Sequence, residues 1–219
     1  MTRLFFIKFI SAATVIALIS QPAFSAQTAV QQLNNLMSSI KSMDASFSQL
    51  VTDPRGGVMQ EVKGQLTIQR PYQFRWVTGE PFLQDVISNG SLLWVHDLDL
   101  EQVTVQKLDR RVGNTPALLL SGDPDQIAKS FDVVSESLPT SGVDKKKVIR
   151  FRLKPKSEDS LFESLTVTFL GDDLYEMHLQ DSLGQRTTIE FKDVKKNIAI
   201  DPSVFEFTPP KGVDIIEDF

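Results

Sequence analysis

Apolar and polar residues alternate along most of this chain, as they do in β-strands with one buried face. The clearest case is the segment 64–76, where every even-numbered position from 66 onward holds a large apolar side chain or an arginine. These positions are Leu66, Ile68, Arg70, Tyr72, Phe74 and Trp76. A buried guanidinium without a partner is costly. Arg70 therefore either turns away at Pro71 or lies at the edge of an apolar interior beside hydrogen-bond acceptors, and a two-residue turn at Pro71 would reverse the register.

The same alternation predicts further strands, separated by turns rich in Gly, Asp and Asn. Asn89-Gly90 lies between two apolar segments and predicts a hairpin, and Asp53–Gly57 predicts a turn. The other alternating segments are 103–105, 149–153, 165–169, 175–179 and 187–191. About ten strands are expected, close to the number at which an open sheet must curl.

Two regions have helical spacing instead. Apolar residues from Val30 to Met43 recur every three or four positions, which predicts a helix over approximately 28–42. Thr115-Pro116 and Gly122 bracket a short apolar helix. A second short helix is expected from Asp123-Pro124 to Phe131, and residues 139–147 are expected to form an exposed loop.

The predicted fold is therefore mainly β with few helices. We expect a strongly curved antiparallel sheet that forms an incomplete β-barrel, with the N-terminal helix and the region 116–131 lying across its mouth as a lid. The interior of a barrel with about ten strands can enclose one apolar ligand or be filled by its own side chains. The sequence pattern leaves both possibilities open.

Residues 1–25 resemble a secretory signal peptide, with a basic start at Arg3 and Lys8, an apolar run, and small residues before a cut after Ser25. Residues 26–219 are then expected to form a single domain. No cysteine is present, so a lipid anchor on an N-terminal cysteine is excluded. The mature chain is therefore expected to be exported and soluble.

Composition narrows the possible chemistry. The chain has 28 acidic against 23 basic residues and a formal charge of −5, which argues against nucleic acid as a partner. His96 and His178 have no metal-ligand spacing. The nucleophile-elbow and phosphate-loop motifs are lacking. We therefore expect no catalytic residue, no metal and no cofactor.

An ordered set of short motifs resembles the periplasmic outer-membrane lipoprotein carriers of the LolA family. Each motif alone is weak, but together they cover nearly all of residues 26–219. The segments that carry the resemblance are Gly64–Trp76, Asp85–Trp94, Asp97–Thr104, Asn114–Leu120, Leu153–Lys156, Asp181–Thr187 and Phe205–Asp214.

This resemblance implies a monomeric carrier in the periplasm of a Gram-negative bacterium. It would take the acyl chains of lipoproteins released by an inner-membrane ABC transporter and pass them to an outer-membrane receptor. The expected cavity residues are Leu66, Ile68, Tyr72, Phe74, Trp76 and Trp94. The expected lid residues are Leu33, Leu36, Pro116, Leu118, Leu119 and Leu120. Arg70 would hold the empty form closed by donating to lid backbone, where carbonyls at helix ends lack other partners.

Three alternatives remain at this stage. The outer-membrane receptor shares the fold, but it is itself lipidated, and the missing cysteine argues strongly against it. A periplasmic sensor domain of related fold would bind a protein partner or lipid without carrying it. A lipid hydrolase without a recognised motif is the alternative among enzymes.

Overall fold

A computed structural model describes residues 28–109, 115–139, 146–158 and 160–218. Within these ranges, twelve strands form one sheet in the order β12-β6-β5-β4-β3-β2-β1-β11-β10-β9-β8-β7. The strands are β1 (Ser42–Thr52), β2 (Val58–Gln69), β3 (Gln73–Thr78), β4 (Gln84–Asn89), β5 (Leu92–Asp97), β6 (Gln102–Lys107), β7 (Phe131–Leu138), β8 (Val148–Pro155), β9 (Ser164–Leu170), β10 (Asp173–Gln180), β11 (Arg186–Lys196) and β12 (Asp214–Asp218).

The sheet curves without closing, because β12 and β7 are both edge strands and do not pair with each other. The expected fold class, a mainly β incomplete barrel, is thus confirmed. Ten strands were too few, because the prediction omits β7 and β12. Both lie at edges and are exposed over most of their length, so neither has a clear buried apolar face. β12 also pairs in parallel with β6, whereas the other pairs in the sheet are antiparallel.

Three short α-helices are described: α1 (Ala29–Ser39), α2 (Pro116–Ser121) and α3 (Ile127–Ser130). A capping box starts α1, with Thr28 Oγ1 accepting from Gln31 N at 3.3 Å. The helix ends at Ser39 rather than at 42, because Ile40 has extended backbone angles and β1 begins two residues later.

The predicted helix α2 is confirmed, with Thr115 as its N-cap and Gly122 as its C-cap. A 3₁₀ turn (Pro124–Gln126) leads into α3, and Phe131 already belongs to β7. Most of the loop expected over 139–147 lies outside the described residues, as does the proposed signal peptide.

One apolar core fills the space between the concave face of the sheet and the helices. Within this core the Phe47 ring packs against Trp76, with ring centroids 4.5 Å apart. Phe47 pairs across β1 and β2 with Gly64. A Cβ at Gly64 would collide with the Phe47 ring and with the backbone oxygen of Val77, so glycine leaves the room in which the two aromatic rings meet.

We predict that Gly64→Ala destabilises the domain by about 3 kcal/mol, because backbone and a buried ring must both move to admit the methyl group. The control is Gly79→Ala, whose added Cβ meets only the Lys63 oxygen at 3.3 Å. It should change stability by less than about 1 kcal/mol. Urea unfolding measures both, and equal effects would contradict this account of the core.

Candidate functional site

The turn between β2 and β3 determines where Arg70 lies. Ile68 pairs with Phe74, and Gln69 pairs with Gln73, so three residues form the turn. A three-residue turn keeps the even-numbered positions of both strands on one face of the sheet. Leu66, Ile68, Phe74 and Trp76 are all buried in the core, and Tyr72 packs against it half-buried.

The Arg70 guanidinium joins the C-terminal ends of two helices. Its Nε donates to the Ile40 carbonyl oxygen at 2.8 Å, and its Nη1 donates to the Gly122 carbonyl oxygen. Ile40 and Gly122 are the C-caps of α1 and α2. Carbonyls at this end of a helix lack intrahelical partners and lie at its negative pole, so a cation suits both. We call these two contacts the Arg70 bridge.

Backbone hydrogen bonds support the Arg70 bridge. Arg70 N donates to Lys41 O at 2.9 Å, and Tyr72 N donates to Ser121 O at 2.8 Å. The fully buried Ser88 hydroxyl donates to Tyr72 O at 2.9 Å. The turn is therefore attached to α2 on one side and to β4 on the other.

The Arg70 bridge also has an energetic cost. Burial lowers the pKa of Arg70 from its ordinary value to about 10, an effect that the negative charge of Asp123 partly offsets. Because 10 is still well above neutral, the protein holds a desolvated positive charge there at pH 7. Arg70 Nη2 and Ser121 Oγ are both buried and have no hydrogen-bond partner among the described residues. Each such atom costs about 1–3 kcal/mol.

Side chains of α1 and α2 occupy the interior directly. Leu33, Leu118, Leu119 and Leu120 are buried in the same core as the sheet residues, and Leu36 packs against it. Pro116 is half-buried at the first turn of α2. We use "the lid" for α1 together with residues 116–130. In this arrangement the side chains of the lid fill the apolar interior.

A cavity of about 180 Å³ remains where the N-terminal turn of α2 faces the sheet. Its apolar lining comes from both sides: Phe74, Trp76, Val86 and Leu93 on the sheet, and Pro116, Ala117 and Leu118 on the lid. Pockets that bind drug-sized ligands have volumes of roughly 300–1,000 Å³. A ligand of that size would enter only if the lid moved.

The expectation that Trp94 lines the cavity does not hold. β5 pairs Leu93 with Ser88 and Trp94 with Ile87, so the two neighbours face opposite sides of the sheet. Trp94 packs on the convex face against Ile87, Val103 and Val105, and its ring centroid lies 6.2 Å from that of Phe207. Residues 92–94 are three apolar residues in succession, so no alternation shows which of them faces the interior.

Several residues that contribute to the interior or to the Arg70 bridge have weak or no sequence signals. Phe47 follows the period-two pattern from Met43, a signal obscured by the longer predicted helix. The acceptors on Ile40 and Gly122 are backbone atoms, which side-chain identity does not reveal. Ser88 and Ala117 are small residues whose burial depends on the tertiary fold.

The two histidines lie away from this interior. His178 contacts Glu176 at 2.8 Å and Thr188 at 3.0 Å, and the His96 ring lies 5.5 Å from that of Phe207. In the part of the chain that the structure describes, no cluster of three acidic, histidine or cysteine residues could hold a metal. None of the described helices is long and apolar enough to cross a membrane.

Comparison with known proteins gives consistent matches. The family model for "Outer membrane lipoprotein carrier protein LolA" matches residues 38–208. The outer-membrane lipoprotein carrier protein of Pseudomonas paraeruginosa is 45% identical over 190 residues, covering 87% of this chain and 88% of that one. The protein of the same name from Azotobacter vinelandii is 40% identical over 216 residues, covering 99% and 100%.

Among solved structures, an uncharacterized conserved protein from Thermus thermophilus superimposes with a TM-score of 0.56. The match covers 86% of this chain and 100% of that one, at 9% sequence identity, and so concerns the fold alone. The family match spans most of the chain, and the two carriers align over nearly their full length. The chain therefore belongs to the LolA family of outer-membrane lipoprotein carrier proteins.

Proposed function

We propose that this protein carries lipoproteins by holding their acyl chains in the interior beneath the lid. The observation behind the proposal is the apolar interior covered by helices whose C-terminal ends meet at one buried guanidinium. The protein acts by binding, as a monomer, without catalysis, metal or cofactor. We favour a carrier over a sensor of the same fold because the curated relatives above, aligned over most of their length, are named as carriers.

The carrier works as a two-state device. In the closed state, leucines of α2 fill the interior. In the open state, acyl chains take their place, and each buried CH₂ contributes about 0.8 kcal/mol. Cargo leaves when closure of the lid, together with binding to an acceptor, outweighs those contacts. The Arg70 bridge adds hydrogen bonds that exist only in the closed state, and so it favours release.

The family supports a proposal for the cellular setting. We propose that residues 1–25 are removed as a signal peptide and that the mature protein begins at Ala26 in the periplasm. An inner-membrane ABC transporter supplies the acylated lipoproteins, and an outer-membrane receptor accepts them. A carrier without its own anchor can travel between the two membranes.

The first test of the carrier function is its cargo. Protein purified from the periplasm of its own bacterium should contain a fraction bound to triacylated lipoproteins, visible by native mass spectrometry as added masses that detergent removes. If only unmodified protein is found, even when a lipoprotein is overproduced, the carrier proposal fails.

We predict that Arg70→Leu loads cargo at least as well as the native protein but transfers it poorly. Charge-assisted hydrogen bonds contribute roughly 1.5–3 kcal/mol each, and their loss shifts the population towards the open state, which holds acyl chains more tightly. Arg70→Lys should be intermediate, since an ammonium lacks the planar fork. Transfer of a labelled lipoprotein to purified receptor measures the effect.

The control for this series is Arg152→Leu, because Arg152 is exposed and bonds only Glu136 among the described residues. It should transfer at the native rate. Native-rate transfer by Arg70→Leu would show that Arg70 is only a turn residue beside Pro71.

We predict the opposite effect for Ser121→Ala. The substitution removes a buried hydroxyl that lacks a partner and leaves the backbone acceptor of residue 121 in place. The closed state should gain about 1 kcal/mol, so the midpoint of thermal unfolding rises and an apolar dye binds several-fold more weakly. Ser42→Ala is the control, because its hydroxyl donates to Ile198 O at 2.6 Å and its loss should destabilise. Unchanged dye affinity in Ser121→Ala would contradict the two-state account.

A further inference from the structure

The strand order places two different sets of connections at the two ends of the sheet. The connections β1–β2, β3–β4, β5–β6, β8–β9 and β10–β11 lie at one end, because each follows a strand that runs in the same direction. The Arg70 turn and the β4–β5 and β9–β10 turns lie at the other. We call the first end the rim and the second the Arg70 end.

Exposed apolar side chains concentrate at the rim. In the β3–β4 connection Phe82 is 48% exposed, and in the β5–β6 connection Leu98 and Leu100 are 42% and 68% exposed. The other rim connections, or the strand starts beside them, carry Val58, Met59, Leu161 and Leu183. Large apolar groups in solvent at one end of a sheet indicate a surface that another molecule covers.

A groove of about 550 Å³ opens between the β3–β4 and β5–β6 connections. Phe82, Leu83 and Leu100 form its apolar side. Gln49, Trp76 and Gln84 line both this groove and the cavity beneath α2. The groove is therefore the part of the rim that adjoins the apolar interior.

The charge around this groove is negative. Asp97 and Asp99 line it, and Glu80 and Glu101 lie in the same two connections. Residues 79–83 and 97–101 include no lysine or arginine. Asp97 Oδ1 accepts from Leu100 N at 3.0 Å, and Asp99 Oδ2 accepts from Leu83 N at 3.3 Å, so the backbone fixes both carboxylates beside the apolar side chains.

We propose that this acidic rim, defined as Phe82, Leu98 and Leu100 with Glu80, Asp97, Asp99 and Glu101, is a docking surface for a protein partner. The partner presents apolar side chains flanked by lysine or arginine. Charge complementarity selects it, since the four carboxylates attract a basic surface and speed its approach. The choice of that partner as the supplier or acceptor of cargo rests on the proposed function.

The same charges argue against a membrane as the occupant. Anionic lipids give bacterial membranes a negative surface, which attracts basic segments and repels clustered carboxylates. A lipid-binding rim would combine its exposed Phe and Leu with lysine or arginine, and neither connection has one. The acidic rim instead matches a protein with positive charge around an apolar centre.

The test measures binding of the mature protein to two probes from the same bacterium, the receptor without its lipid anchor and the whole ABC transporter in nanodiscs. The double variant Phe82→Ser, Leu100→Ser should raise the Kd for at least one probe by about tenfold or more. The matched control Leu161→Ser, Leu183→Ser alters rim residues that are at least equally exposed but lie outside the acidic rim. Its Kd for each probe should stay within about twofold of the native value.

The charge is tested separately with Glu80→Lys, Glu101→Lys, compared with Glu158→Lys, Glu163→Lys from the β8–β9 connection. Only the first pair should weaken binding and reduce its dependence on salt between about 0.05 and 0.5 M. The docking proposal is overturned if the native protein binds neither probe, or if acidic-rim variants match their controls. It is also overturned if phosphatidylglycerol vesicles bind the native protein and lose binding in Phe82→Ser, Leu100→Ser.

An apolar dye distinguishes failure of this proposal from failure of the carrier function. The acidic-rim variants should take up the dye as the native protein does, because their side chains lie outside the cavity beneath α2. If the acidic-rim variants take up the dye and bind both probes as the native protein does, the docking proposal is overturned and the carrier proposal is not. If the native protein takes up neither dye nor lipoprotein, the carrier function itself is wrong.

Discussion

The closed structure depends on one buried guanidinium that satisfies the C-terminal carbonyls of two helices. Ile40 and Gly122 lie 30 and 52 residues from Arg70 in sequence, so the contact joins three separate parts of the fold. Two charge-assisted hydrogen bonds are substantial, yet burial lowers the pKa of Arg70, and one of its nitrogens has no partner among the described residues. Gain and cost oppose each other, which suits the opening and closing that we propose for the lid.

An open sheet is what makes such a lid useful. A closed barrel has a fixed interior, whereas a sheet with free edges at β7 and β12 lets packed helices contribute a variable share of the core. Free edges carry a risk of pairing with other chains. Exposed Asp214, Glu217 and Asp218 on β12, and Glu136 on β7, place charges along these edges and oppose such pairing.

Sequence periodicity predicts the sheet well because burial on one face requires alternation. It places Leu66, Ile68, Phe74 and Trp76 on one face, and the structure agrees. Periodicity fails where a strand is buried on both faces or on neither. Trp94 lies in a segment buried on both faces, and the β7 and β12 edges have little burial to pattern. The partners of Arg70 are backbone oxygens distant in sequence. The sequence alone therefore indicates that a buried Arg70 needs hydrogen-bond acceptors, but not which atoms these are.

The two ends of the sheet are chemically distinct, and this separation bears on how cargo could move in one direction. At the Arg70 end, polar contacts between the turn and the lid are internal to the protein. At the rim, apolar and acidic groups face solvent beside the groove that adjoins the interior. A partner that binds the rim need not compete for the Arg70 bridge. In the proposed mechanism, docking aligns two apolar surfaces before the lid closes, and closure at the far end then removes space for the acyl chains while their exit stays covered from water.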